Sequence, residues 1–75
     1  MHKIGIYIDP TRSFLIIETP SALQFELRDG AGKLLITGNK LRQPSVSISI
    51  KRLSPGAYTL MLIVDGEHVY KTIEL

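Results

Sequence analysis

The 75-residue sequence contains no cysteine and no tryptophan, and its apolar runs are short. Without cysteine, neither disulfide bonds nor cysteine-based zinc sites can stabilise the fold. No segment approaches the roughly 18 consecutive apolar residues of a membrane-spanning helix, and the first residues lack the apolar core of a signal peptide. We therefore expect one small domain, residues 1–75, held together by its hydrophobic core. Met1 and His2 are interpreted as residues from an expression vector, and we expect the sequence to be a piece of a longer protein.

Basic and aromatic residues are also sparse. The formal net charge is +2 and the pI is about 9.2, but Lys51-Arg52 is the only adjacent basic pair. That pair is too short for a nucleic-acid-binding stripe. The aromatic residues are too scattered for a stacking surface, and Tyr7, Tyr58 and Tyr70 are interpreted as ordinary strand residues. We expect no nucleic-acid partner and no membrane span.

What the sequence does contain is an apolar residue at every second position, which is typical of strands with one face on a core. The alternating positions are Ile4, Ile6 and Ile8; Leu23, Phe25 and Leu27; Val46, Ile48 and Ile50; and Val69, Ile73 and Leu75, where Lys71 interrupts the last row. Residues 14–17 and 58–64 are apolar on both faces, so they are predicted to be central strands or strands covered on both sides.

Turn residues separate these runs at short intervals. The predicted turns are Asp9-Pro10, Thr19-Pro20-Ser21, Asp29-Gly30-Ala31-Gly32, Gly38-Asn39, Ser54-Pro55-Gly56 and Asp65-Gly66. Asp65-Gly66 lies between two apolar runs and predicts a hairpin with a type I′ turn. No segment has an apolar stripe at helical spacing. The sequence therefore predicts an all-β fold, an immunoglobulin-like antiparallel β-sandwich of about seven short strands, with a small closed barrel as the alternative.

The segment RDGAGKLLI, residues 28–36, has the glycines and lysine of a phosphate-binding loop. Such a loop also needs an earlier glycine, a Ser or Thr after the lysine, and a following helix. Here Lys33 is followed by Leu34 and a β-type run. We interpret Gly30 and Gly32 as positive-φ positions of a hairpin loop, with Lys33 exposed at the start of the next strand.

No residue cluster predicts an active site or a cofactor. His2 is near the start of the chain and His68 is beside a hairpin turn, so both are interpreted as surface residues. The serines of PSVSISI fall on the wet face of a strand, without a base or an orienting acid. Asp9, Asp29 and Asp65 each fit a turn-capping role. Their convergence into a calcium site stays an alternative, although no ligand-rich loop supports it.

Three segments together resemble a known family. The segment DPTRSFLIIET resembles its opening motif, Asn-Pro followed by an apolar strand. LQFELRDGAGKLLITG resembles its hairpin with Asp-x-x-Gly-Lys, and LSPGAYTLMLIVDGEHVYKTIEL resembles its ending, in which Leu-x-x-Gly-x-Tyr precedes a hairpin and a last strand with a lysine. The family is the C-terminal sorting domain, or Por secretion tail, of type IX secretion system proteins of Bacteroidetes. The match runs from about Ile6 to Leu75.

The resemblance implies a non-enzymatic export signal at the end of a longer secreted protein. It implies protein partners in the translocon and its shuttle, passage through the periplasm, and release or attachment at the outer membrane surface, with the domain either cleaved or retained. The matching residues are Asp9, Pro10, Asp29, Gly32, Lys33, Leu53, Gly56, Tyr58 and Lys71. The sequence departs from the family at Asp9, where asparagine is usual, and at its end, Ile73-Glu74-Leu75, where a basic residue is common.

A second hypothesis remains open. The same all-β domain could be a structural or adhesive immunoglobulin-like module, a spacer or a carbohydrate-contacting unit of a surface protein. In either case function would reside in the exterior of the domain. An exposed sheet edge would allow β-augmentation by a partner, or a dimer.

Overall fold

The structure, a computed structural model, describes residues 4–11 and 13–75, so the prediction for Met1 and His2 lies outside the described residues. Throughout this range the fold is all-β, which confirms the predicted class. The seven strands are β1 (Gly5–Ile8), β2 (Phe14–Glu18), β3 (Leu23–Arg28), β4 (Leu34–Lys40), β5 (Ser45–Ser49), β6 (Ala57–Val64) and β7 (Glu67–Glu74).

The strands form two antiparallel sheets, a three-stranded sheet in the order β1-β2-β5 and a four-stranded sheet in the order β4-β3-β6-β7. The β-sandwich is therefore confirmed, and no pairing among the described residues joins the sheets into a closed barrel. The fourth strand pairs with β3, whereas in a constant-type immunoglobulin sandwich it belongs to the other sheet. The two predicted central strands, β2 and β6, are central.

The core lies between the inner faces of the two sheets and consists of the alternating apolar positions. Its buried members are Leu15, Ile17, Leu23, Phe25, Leu27, Ile48, Ile50, Tyr58, Leu60, Leu62, Val64 and Ile73. The row Ile4, Ile6 and Ile8 is only half-buried, because β1 lies at a sheet edge. The hairpin of β6 and β7 closes at Asp65 and Gly66 with φ of 51° and 80°, as a type I′ turn requires, which confirms that prediction.

The predicted turn at Gly38-Asn39 is wrong, because both residues lie inside β4. Gly38 is opposite Phe25 on β3, and the Phe25 ring occupies the space that a side chain at position 38 would need. A Cβ at Gly38 would stand 2.8 Å from the ring Cζ. The glycine is therefore a packing position within a strand. The chain reverses at residues 41–44 instead.

Candidate functional site

One end of the sandwich gathers nearly all the residues of the resemblance. Strands β1, β3, β5 and β7 run toward this end, because four-residue connections at 19–22 and 41–44 link the sheets at the opposite end. The loop that contains residues 9–11 and 13 and the loops 29–33 and 50–56 lie here, and we call it the motif end. Backbone hydrogen bonds connect its parts: Ile50 N donates to Ser13 O at 2.9 Å, and Gly56 and Leu75 bond each other at 3.0 and 2.9 Å.

Asp9 organises the first loop of the motif end. One carboxylate oxygen accepts the backbone N–H groups of Ser13 and Phe14, each at 2.8 Å, and the other accepts the hydroxyl of Thr11. Asp9 N also donates to Phe14 O at 3.1 Å, which closes the loop. The Thr11 hydrogen bond, with those of Phe14 and Ser13, lowers the pKa of Asp9 below its ordinary value of 3.8.

Asp29 plays the same part in the second loop. Its carboxylate accepts the backbone N–H groups of Ala31 and Lys33, each at 2.9 Å, and its backbone bonds Gly32 and Lys33 at 3.0 Å. Gly32 has a φ of +86°, which confirms its predicted conformation, whereas Gly30 is not among the positive-φ residues, so that half of the prediction is wrong. One residue with a positive φ is enough to close this loop, because the hydrogen bonds of Asp29 fix the rest of it. The Asp-x-x-Gly-Lys pattern is therefore a capped hairpin loop, not a phosphate-binding loop.

Tyr58 forms a tyrosine corner, the feature of immunoglobulin-like sandwiches in which a tyrosine at the start of a strand bonds backbone just upstream. Its ring is buried at the start of β6, and its hydroxyl donates to Ser54 O at 2.5 Å. Leu53 packs against the core, and Gly56 has a φ of +148°, which disfavours other residues. The Leu-x-x-Gly-x-Tyr pattern therefore shapes the approach to β6.

Of the nine residues of the resemblance, three have exposed side chains that do not help to hold the fold together. Pro10, Lys33 and Lys71 are exposed, and no side-chain hydrogen bond or ion pair joins Lys33 or Lys71 to another described residue. Pro10 and Lys33 belong to two loops of the motif end. Lys71 lies on β7, in the half that leads to that end, and interrupts the inward-facing row between Val69 and Ile73.

The predicted turn aspartates do not converge. Asp9 and Asp29 lie at the motif end, but Asp65 lies at the opposite end, in the turn between β6 and β7. Within residues 4–11 and 13–75, no group of three His, Asp or Glu residues is placed to hold a metal ion. His68 is exposed on β7, and Ser45, Ser47 and Ser49 are exposed on β5, as predicted.

Sequence reasoning missed Lys40, which is 2% exposed at the end of β4. Its Nζ donates to Leu41 O at 3.0 Å and to Gln43 O at 2.7 Å. The lysine thus joins the core to the connection between the sheets. The only signal in the sequence is its place in the inward row of β4, two positions after Gly38.

No protein-family model and no curated protein matches the chain. Where the structure describes the chain, it contains no helix of the length and apolar character needed to span a membrane. The class that the geometry defines is a small immunoglobulin-like β-sandwich whose motif residues are concentrated at one end.

Asp9 predicts a pH dependence of stability. Its pKa is lowered in the folded state, so the carboxylate form favours folding above about pH 3.8, and this contribution is lost as the pH falls through the lower folded-state value. The thermal midpoint of the wild type should therefore fall more steeply between about pH 4 and pH 2 than that of Asp9→Asn. Circular dichroism melts of both proteins test this. Parallel curves would contradict it.

Lys71 is expected to keep the edge strand β7 from pairing with other chains. A charged side chain in the inward row of an edge strand disfavours strand addition, since pairing there would bury the charge. Lys71→Val should therefore increase self-association with concentration in sedimentation velocity experiments. Lys33→Val is the matched control, because it makes the same change in a loop. Equal behaviour of the two variants would argue against a protective role of Lys71.

Proposed function

We propose that this domain is a sorting module that secretion machinery of the type IX kind recognises, and that it catalyses no reaction. The observation that supports the proposal is the gathering of Asp9, Pro10, Asp29, Gly32, Lys33, Leu53, Gly56 and Tyr58 at the motif end, with Lys71 on the strand leading to it. Residues far apart in the sequence thereby lie at or near one end of the sandwich, where the exposed ones are available to a partner protein.

Within this end of the sandwich we distinguish side chains that shape the loops from exposed side chains that are available to a partner. Asp9, Asp29 and Tyr58 fix the loops through hydrogen bonds to backbone groups. We propose that they present the surface and that the free side chains of Pro10, Lys33 and Lys71 contact the partner. Under this proposal the partners are translocon and shuttle proteins, and the domain passes through the periplasm to the outer membrane or cell surface.

Export of a fusion protein tests the proposal. The 75-residue chain is fused to the C-terminal end of a periplasmic reporter in a host with the type IX system, and surface reporter is measured. The intact fusion should reach the surface, and removal of residues 67–75 should abolish this. Because that deletion removes β7, the sharper variant is Lys33→Ala with Lys71→Ala, which leaves the described hydrogen bonds in place.

The matched control is Arg42→Ala, which removes an exposed cation at the opposite end of the sandwich. Surface reporter should fall for the double variant and stay at the wild-type level for Arg42→Ala. Retention of the intact fusion in the periplasm would refute the sorting role. Equal export of all three proteins would refute recognition through the lysine side chains.

A structural or adhesive module is the second candidate, and one observation favours it. The Asp29 loop and the Tyr58 corner are explained by the needs of a β-sandwich, so they would be present in a spacer as well. A spacer would act equally well at any position in a protein. Placement of the domain within a fusion therefore distinguishes the two candidates.

A further inference from the structure

The charges of the chain are divided unequally along the sequence. Residues 30–64 contain five Lys or Arg and no Asp or Glu, whereas the rest of the chain contains four Lys or Arg and all seven Asp and Glu. The basic segment includes β4 and β5, which are edge strands of the two sheets. We call the side formed by β4, β5 and the loops that follow them the β4–β5 flank.

A groove of about 530 Å³ lies on this flank. Ile36 of β4 and Ser49 of β5 line it together with Lys51, Arg52 and Leu53, so it bridges the two sheets. Ile36 and Leu53 pack against the core and are half-buried, which gives the groove an apolar floor, whereas both cations are exposed. The groove therefore offers apolar contact and positive charge side by side.

Strand β5 is the one edge in the described chain without protection against strand addition. The other three edges carry recognised obstacles: β1 has only four residues, the pairing of β4 is irregular at Arg28 and Leu34, and β7 carries Lys71 in its inward row. Strand β5 has the sequence SVSIS, with no charge and no proline, and it pairs only with β2. One side of its backbone is therefore open to a partner.

We propose that the β4–β5 flank binds an extended acidic polypeptide segment. The segment adds to the free edge of β5 as a strand, places an apolar side chain in the groove, and sets its carboxylates against Lys51 and Arg52. Backbone hydrogen bonds supply affinity and the groove and cations supply selectivity. The Lys51 ammonium also lies 5.8 Å from the centre of the Phe14 ring, which holds it near the end of β5.

Other occupants fit the flank less well. Residues 26–57 contain no aromatic residue, and Phe14, beside Lys51, offers a single ring, so a single-stranded nucleic acid would find no row of base-stacking partners there. An anionic lipid surface would use the cations but neither the free strand edge nor the groove. The proposal is independent of the sorting role, since binding at this flank and export of a fusion can each occur without the other.

The test is a titration of the isotope-labelled 75-residue chain with a synthetic peptide of alternating Glu and Val, followed by nuclear magnetic resonance. Saturable shifts should appear in residues 45–53 and weaken with salt. Arg52→Glu should weaken binding about tenfold, because it reverses a charge beside the carboxylates. Lys71→Glu makes the same charge change on the other flank and should bind the peptide as the wild type does.

Two further measurements test whether the peptide binds by adding a strand and whether the flank binds lipid instead. The same peptide with every backbone amide N-methylated keeps its charges but has no N–H group to donate to the edge of β5, so it should not bind. Vesicles of phosphatidylglycerol should not co-sediment with the protein. The proposal is overturned if the peptide does not bind, if the methylated peptide binds equally, if Lys71→Glu weakens binding as much as Arg52→Glu, or if the vesicles bind instead. Self-association of the unliganded protein through residues 45–49 would also overturn it, in favour of a second copy.

Discussion

Gly38→Ala should destabilise the domain by roughly 1–3 kcal/mol, because it adds a methyl group to a filled core position. The new Cβ would lie 2.8 Å from Cζ of Phe25, and 3.2 and 3.4 Å from Cε2 and Cε1. The ring is only 6% exposed, so it cannot simply turn into solvent. A domain of 75 residues has roughly 4–11 kcal/mol of stability in total. Urea denaturation followed by circular dichroism measures the loss.

Two controls show whether the Phe25 ring is the cause. Gly5→Ala makes the same change in β1, where the nearest atom would be 3.6 Å away, and it should alter stability by no more than about 0.5 kcal/mol. Phe25→Leu should make Gly38→Ala less costly than it is in the wild type, because the smaller side chain leaves room. Wild-type stability of the single Gly38→Ala variant would contradict the proposed packing.

Lys40→Met should destabilise the domain by about 1–3 kcal/mol, because it removes hydrogen bonds from a charged donor to two carbonyl groups. The side chain is 2% exposed, and its ammonium is bonded to Leu41 O and Gln43 O, so the change leaves these carbonyls without this donor. Methionine keeps the apolar stem in place. Relief of the cost of burying a charge offsets part of the loss. Thermal and urea unfolding measure the net effect.

Lys33→Met is the matched control, since it makes the same substitution at an exposed position and should be close to neutral. Lys40→Ala should cost more than Lys40→Met, because it also removes buried methylene groups. If Lys40→Met proved more stable than the wild type, the buried ammonium would have a net destabilising effect on the fold. Its two hydrogen bonds would then not explain the stability of the connection between the sheets.

Local sequence signals predict much of this fold. The alternation of Leu23, Phe25 and Leu27 identifies a strand and its buried face, because the side-chain period of a strand is two. Asp65-Gly66 predicts its hairpin because both residues adopt positive φ readily. These features depend on a few neighbouring residues, so the sequence contains the information directly.

Features that depend on distant residues are not predicted. Glycine is typical of turns, and only the pairing of Gly38 with Phe25 explains why it lies within a strand. Lysine is usually exposed, but Lys40 is buried because it lies in the same inward-facing row of β4 as Gly38. The open edge of β5 is likewise invisible until the order of strands is known, since no local pattern says which strands end a sheet.

In the candidate site, too, some features can be predicted from the local sequence and others depend on the topology. The motifs around Asp29 and Tyr58 can be found from the sequence, but their hydrogen bonds to nearby backbone groups show that they shape loops. That Pro10 and Lys33 share one end of the molecule follows from the topology of seven strands. The motifs are therefore recognisable in the sequence, whereas only the structure shows which of their side chains are exposed.

The most direct test of the proposed sorting role compares surface display of one reporter fused to this domain in two arrangements, with the domain after the reporter or before it, in a host with the type IX system. The sorting role predicts surface reporter only when the domain comes last, and loss of display when the translocon is inactivated. Equal display from both arrangements, or display that persists without the translocon, would contradict it.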